Sequence, residues 1–356
     1  MTDTRRRWQK IAEKAACGLA LLSAITPLVG PSITLAKKPA KSGAEDVVVD
    51  DRTARVIDGG LKYLASKQAA NGSWDTGQGS YAAGITAYVL IAFMTTGNLP
   101  DEGPYGATVR RGLNYLVSCC RSDGYIAQSN GQSNMYGHGI GTIALAEMYG
   151  TTQDETIRPR LERAVKLIQK AQSPEGGWRY NPRPEGADIS VTVLQVVALR
   201  AAKNCGIEVP QNVIDRAVNF IHKCKAGDTG GFTYQAGQGK PGWARTAAGI
   251  YALQVCGLYD DPLVASGSRY VFDQFDKDRE NFTYGMNYAT PANYMIGGDT
   301  WRRWYGLARE RLLRDAITQG DKTMWRQTMG GGDNYAAAVN VAALAMPYGY
   351  LPLYQR

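Results

Sequence analysis

Gly60-Leu61-Lys62-Tyr63-Leu64 returns 52 residues later as Gly112-Leu113-Asn114-Tyr115-Leu116, and this return governs the reading of everything around it. The same small–aliphatic–x–aromatic–aliphatic outline recurs as Ala164-Val165-Lys166-Leu167-Ile168 and Ala217-Val218-Asn219-Phe220-Ile221. A degraded copy runs over 267–271, so the successive spacings are 52, 52, 53 and 50 residues. A fixed period of this length signals one supersecondary unit used repeatedly. It argues for a single domain where a 356-residue chain would otherwise suggest two or three.

A second series alternates with the first. Its mark is a threonine near the start of an Ala/Leu/Val-rich run: Thr86, Thr142, Thr192, Thr246 and Thr290, with Ala337 in the sixth place. The first type of segment carries apolar residues at helical spacing with charges between them, so one face meets solvent. The second type, such as 85–93 or 191–199, is apolar nearly all round and must be buried on most sides. Six amphipathic helices outside six buried ones predict an all-α fold. An open solenoid would need polar end caps. None is visible and the repeats keep their lengths, so the expected architecture is a closed (α/α)6 toroid over residues 52–356.

Composition narrows the functions. The net charge of +8 falls to +5 once residues 1–36, with five Lys/Arg and two Asp/Glu, are set aside. No long basic run exists, so nucleic acid is not an expected partner, while weak association with an anionic membrane surface stays open. Only His138 and His222 are present, which disfavours a metal site, and no cofactor is expected. The first 36 residues run from Arg5-Arg6-Arg7 through an apolar stretch to Thr34-Leu35-Ala36, the order of an export signal. Thr4 to Lys10 is similar to a twin-arginine signal, with an ordinary secretory signal as the alternative. An uncleaved membrane anchor over 15–36 is a third option, weakened by Pro27 and Pro31. Residues 37–51 read as a polar linker, and the expected location is the periplasm or an equivalent space. Beyond the leader lie Cys119, Cys120, Cys205, Cys224 and Cys256, an odd number at predicted helix ends, read as buried thiols or as one bridge and three thiols.

Between the two helix types sits a turn closing on an aromatic. The fullest copy is Gln68-Ala69-Ala70-Asn71-Gly72-Ser73-Trp74, followed by Gln172 through Gly176-Gly177-Trp178, and then by Gly230-Gly231-Phe232 and Gly124-Tyr125. Glycine permits the tight turn, and the aromatic covers apolar surface between hairpins. These turns resemble the Gln-Trp repeat of squalene and other triterpene cyclases, found in looser form in protein prenyltransferase β-subunits. With 135–139, 188–192 and 347–352, the chain is similar to exported single-domain prenyltransferase/squalene-oxidase repeat proteins. The Gln itself is kept only at Gln68 and Gln172; Cys120, Lys225 and Phe275 stand at the other three positions.

The resemblance implies chemistry that the residues do not carry. Proton-initiated cyclases use an Asp-x-Asp-Asp-Thr motif, but aligning on Thr192 gives Asp188-Ile189-Ser190-Val191-Thr192. Ser190 is far too weak an acid to protonate an alkene. Asp260-Asp261 lacks the third acid of a magnesium–diphosphate motif, and no Asp/Cys/His set for zinc is found. What remains is a group at the starts of the inner helices: Tyr136, His138, Asp188, Trp243, Arg245, Tyr288, Asp333 and Asn334. In a closed ring these starts converge at one mouth. The expected function is binding or scaffolding of an isoprenoid, lipid or peptide. The alternative is an enzyme of the superfamily with an altered site built on Asp188, His138 and Asp333. A carbohydrate-active α/α-barrel enzyme is weaker still, since it rests on fold analogy alone.

Overall fold

The computed structural model describes residues 47–76, 81–128, 133–277, 281–327 and 330–355. The expected export signal or anchor, and residues 37–46 of the expected linker, lie outside them. Among the described residues no helix is long and apolar enough to cross a membrane.

The helices, in chain order, are α1 (Asp51–Ser66), α2 (Ala82–Thr95), α3 (Gly106–Ser118), α4 (Met135–Thr152), α5 (Arg158–Ala171) and α6 (Ile189–Asn204). They continue as α7 (Gln211–Lys223), α8 (Trp243–Val255), α9 (Pro262–Asp273), α10 (Phe282–Ile296), α11 (Gly298–Asp315) and α12 (Gly332–Ala345). The even-numbered helices form an inner ring. Each packs on the next, and α12 packs back on α2, which closes it. The odd-numbered helices form an outer ring; α3 is seated against α2, and each of the others against the inner helices on either side. The expected toroid is the observed one. A two-stranded antiparallel hairpin, β1 (Ile317–Gln319) and β2 (Lys322–Met324), lies over α1 at the seam where first and last hairpins meet.

The repeat marks have physical reasons. The threonine of the inner helix anchors the preceding turn: Thr86, Thr192 and Thr246 each accept the N–H of Trp74, Trp178 and Phe232 at 3.0 Å. The glutamine joins neighbouring hairpins. Gln172 donates from Nε2 to the Gly176 carbonyl at 2.7 Å and to Val213 of the next outer helix at 2.8 Å. Gln68 makes the equivalent pair to Gly72 and Thr108, each at 3.0 Å. Indoles close the outer helices: Trp74, Trp178 and Trp325 donate to Leu64, Ile168 and Leu312 at 2.7, 2.7 and 2.8 Å, satisfying last-turn carbonyls.

Four of the five cysteines, Cys119, Cys205, Cys224 and Cys256, stand at the C-caps of α3, α6, α7 and α8, with Cys120 next to the first. All five are free thiols, and burial pushes Cys120, Cys205, Cys224 and Cys256 up to about 12.

Beyond α12 the chain turns through two short 3-10 segments, Met346–Tyr348 and Pro352–Tyr354. The second packs on α6 and α10 and places Leu353 and Tyr354 across the axis of the ring. The Leu353 N–H donates to the Glu147 carboxylate at 3.4 Å. Glu147 lies on α4, is only 4% exposed, and is pushed up to about 7 by burial.

Candidate functional site

All six inner helices point their N-termini at one mouth, where they surround a cavity of about 790 Å³. The wall takes Gly84, Ile85 and Tyr88 from α2, and Tyr136, Gly137 and Ile140 from α4. Ser190 comes from α6, Ala244 and Arg245 from α8, Tyr284 from α10 and Tyr335 from α12. Turns between helices add Tyr81, Tyr180, Tyr234 and the amides of Gln128 and Gln327. A volume in this range suits a small organic ligand.

Tyrosine is the commonest residue of the wall. Tyr88 and Tyr335 meet edge to face at 4.8 Å, and Tyr284 meets Tyr288 the same way at 5.0 Å. Tyr136 lies 6.1 Å from Tyr180, and the Tyr180 and Tyr234 hydroxyls share a hydrogen bond. The Tyr284 hydroxyl donates to the Ser190 carbonyl at 3.3 Å. Burial pushes the phenols of Tyr88, Tyr136, Tyr234, Tyr284 and Tyr335 up, so they act as neutral donors and ring surfaces. Tyr88 and Ile140 also bound a smaller void of about 30 Å³ beneath, whose far side is Leu353 and Tyr354. The site is therefore a cup with a floor.

Of the residues singled out from sequence, Tyr136 and Arg245 line the cavity. Tyr288 sits one layer deeper, against the lower void. Asp188 stands behind the wall, wholly buried at the start of α6. Its Oδ1 accepts the Val191 N–H at 2.9 Å, and Oδ2 lies 4.0 Å from Arg179 Nε. Burial raises its carboxyl above the usual range, against the opposing pull of Val191, Tyr234 and Arg179.

The other four serve the scaffold. His138 does not reach the cavity. Its Nδ1 accepts the Ile126 N–H at 3.2 Å and its Nε2 faces the Ala164 carbonyl at 3.3 Å, so the ring does for the second hairpin what Thr86 and Thr192 do for theirs. Burial holds it neutral, down to about 4. Trp243 turns outward, stacks on Phe282 at 5.6 Å and donates to the Val271 carbonyl at 2.9 Å. It closes α9 from a neighbouring hairpin. Asp333 pairs with Arg326 at 3.0 Å and accepts the Gln327 N–H at 3.0 Å. Asn334 donates to the Asp75 carbonyl at 2.9 Å.

Sequence reading missed Tyr81, Tyr88, Tyr180, Tyr234, Tyr284 and Tyr335. The available signal was the 21 tyrosines, several of them clustered near inner-helix starts. No group of three His, Cys, Asp or Glu able to hold a metal ion occurs among the described residues.

Solved structures share this architecture at low identity, which speaks for the fold alone. The type II terpene cyclase MstE from Scytonema superposes with a TM-score of 0.58 at 13% identity, covering 85% of this chain and 100% of that one. The GH76A alpha-1,6-mannanase from Salegentibacter sp. HEL1_6 gives 0.60 at 11%, covering 84% and 100%. A protein from Actinoplanes gives 0.55 at 14%, covering 83% and 99%. No curated protein matches the chain in sequence. The fold expected from the cyclase-like repeats is thus the observed α/α toroid. Residues 53–245, more than half of the chain, match the family described as "Domain of unknown function (DUF6288)", and the chain belongs to that family.

Proposed function

We propose that this toroid binds a largely apolar organic ligand, of the isoprenoid or lipid kind, in its tyrosine-lined cup, without alkene-protonating chemistry. The observation that carries this reading is the wall itself: rings, aliphatic groups, hydroxyls, side-chain amides and one guanidinium, with no carboxylate among its described lining residues. Alkene protonation needs a strong acid facing the substrate, and glycoside hydrolysis needs two carboxylates across a cleft. The terpene cyclase and the mannanase share the fold, but a fold does not transmit chemistry.

One observation favours a second reading, a proton-transfer enzyme. Asp188 is buried, its carboxyl is raised, and it interacts with Tyr234, which bonds Tyr180 at the cavity wall. The two readings separate in one experiment. Native protein is extracted and its bound organic molecules identified by mass spectrometry, and purified protein is incubated with squalene. A co-purifying apolar molecule and no cyclised product are expected. Cyclic triterpene from the wild type, lost in Asp188→Asn, would establish the enzyme. That substitution keeps an N-cap residue, so the fold should stand.

A further inference from the structure

The cup's charge inventory is one-sided. Arg245 is the only charged side chain on the wall among the described residues. Its Nη1 donates to the Lys240 carbonyl at 3.2 Å, and no carboxylate pairs with it among the described residues. The two acids singled out at the inner-helix starts lie off the wall. Asp188 caps α6 and faces Arg179 at 4.0 Å; Asp333 is held by Arg326 at 3.0 Å. Neither lines the cavity, so the described residues of the wall carry one positive charge and no negative one.

The backbone adds to the same sign. Six helix dipoles point their positive ends into one space, and the N-cap residues of α8, α10 and α12 make no side-chain cap, whereas Gln128 Oε1 accepts the Ala83 N–H of α2 at 3.1 Å. The tyrosine faces pull the other way, since a ring quadrupole attracts cations. That pull is weak beside a full guanidinium charge. A cation would meet Arg245 as a like charge, whereas a carboxylate would gain a charge-assisted hydrogen bond, roughly twice as strong as a neutral one.

We propose that the ligand is an amphiphile with a single anionic head, a carboxylate, held by Arg245, and a hydrocarbon body lying against Tyr136, Tyr284, Tyr335, Ile85 and Ile140. This rests on the ligand-binding reading above and narrows it. A deep apolar cup alone would accept neutral chains equally well; Arg245 is what sets the preference.

The test uses the full chain and three twelve-carbon probes below their micelle concentrations: dodecanoate, dodecanol and dodecyltrimethylammonium. Titration calorimetry at neutral pH should show dodecanoate binding at least about tenfold more tightly than dodecanol, with the ammonium weakest. Tenfold is the scale of one modest charge-assisted contact. Arg245→Gln should bring dodecanoate down to the level of dodecanol while dodecanol is unchanged, and Arg245→Lys should retain part of the preference. Arg245 is half-exposed, so both variants should fold, which circular dichroism checks. Equal binding of acid and alcohol to the wild type, or an acid preference that survives Arg245→Gln, would overturn the anionic-head proposal and leave the ligand-binding reading standing. Binding of none of the three, with no molecule extracted from native protein, would overturn both.

Discussion

Trp178 is wholly buried, and its single N–H holds the Ile168 carbonyl at the end of α5. Its backbone N–H is fixed by Thr192, so ring, turn and inner helix are tied at one residue. Trp178→Ala should therefore destabilise the protein by roughly 3–5 kcal/mol, the cost of deleting a large buried aromatic. Trp74, in the same position one hairpin pair earlier, should behave alike. Trp178→Phe keeps most of the ring but orphans the carbonyl, and should lose roughly 1–3 kcal/mol. Denaturant melts check all three, and a loss below about 1 kcal/mol for Trp178→Ala would show that the ring is not wedged between hairpins. Trp243 marks the limit of reading single residues. It stands at a helix start like Tyr136, yet points outward. The first turn of an inner helix carries side chains both toward the axis and away from it, and residue type does not tell which. His138 likewise invites a chemical role from its type, while its position gives it a threonine's work.

At the scale of the element, the turn between helices was the most legible part. Its glycine has a stricter role than sharp reversal. Gly176 has φ 101°, and a Cβ there would lie 2.2 Å from the Arg216 carbonyl oxygen of α7. Gly72 and Gly124 press on Arg111 and Arg163 of the next outer helices in the same way, at 2.4 and 2.3 Å. The turn is thus a contact between hairpins, in which backbone approaches backbone. Gly176→Ala should cost several kcal/mol, more than the roughly 1–2 kcal/mol of an unfavourable left-handed φ alone, because backbone must move. Gly206, with φ 86° but nothing within 4 Å of an added Cβ, is the control and should lose much less. Thermal melts of the pair would contradict the contact argument if the two losses were equal. The tyrosine wall was illegible for a related reason. Tyr88 lies in a helix that is apolar all round, where a sequence pattern reports burial but not whether the burial faces a neighbour or a cavity.

For the whole molecule, ring closure was legible because six similar repeats leave no end to cap. The floor of the cup was not, since residues 347–352 read only as a family-like closing passage. Two buried groups give the molecule opposed responses to pH. His138, ordinarily near 6.5, is lowered to about 4, so the unfolded chain holds the extra proton between those values and stability falls as pH drops through them. Glu147, ordinarily near 4.5, is raised to about 7, so the folded chain holds the extra proton and stability falls as pH rises through that window. Cys205, Tyr251 and Tyr354 surround Glu147 and offer no cation among the causes of its shift. The two windows overlap between about pH 4.5 and 6.5, where the slopes offset, so Glu147→Gln should leave stability rising with pH there while the wild type stays nearly flat, and parallel pH slopes in urea melts of variant and wild type would contradict this assignment. The floor that Glu147 helps to hold also bears on kinetics. Among the described residues, a cup closed below by Leu353 and Tyr354 offers no exit opposite its rim. Anything that obstructs the rim without touching the bound molecule slows arrival and departure by the same factor, altering residence time while leaving the dissociation constant where it was.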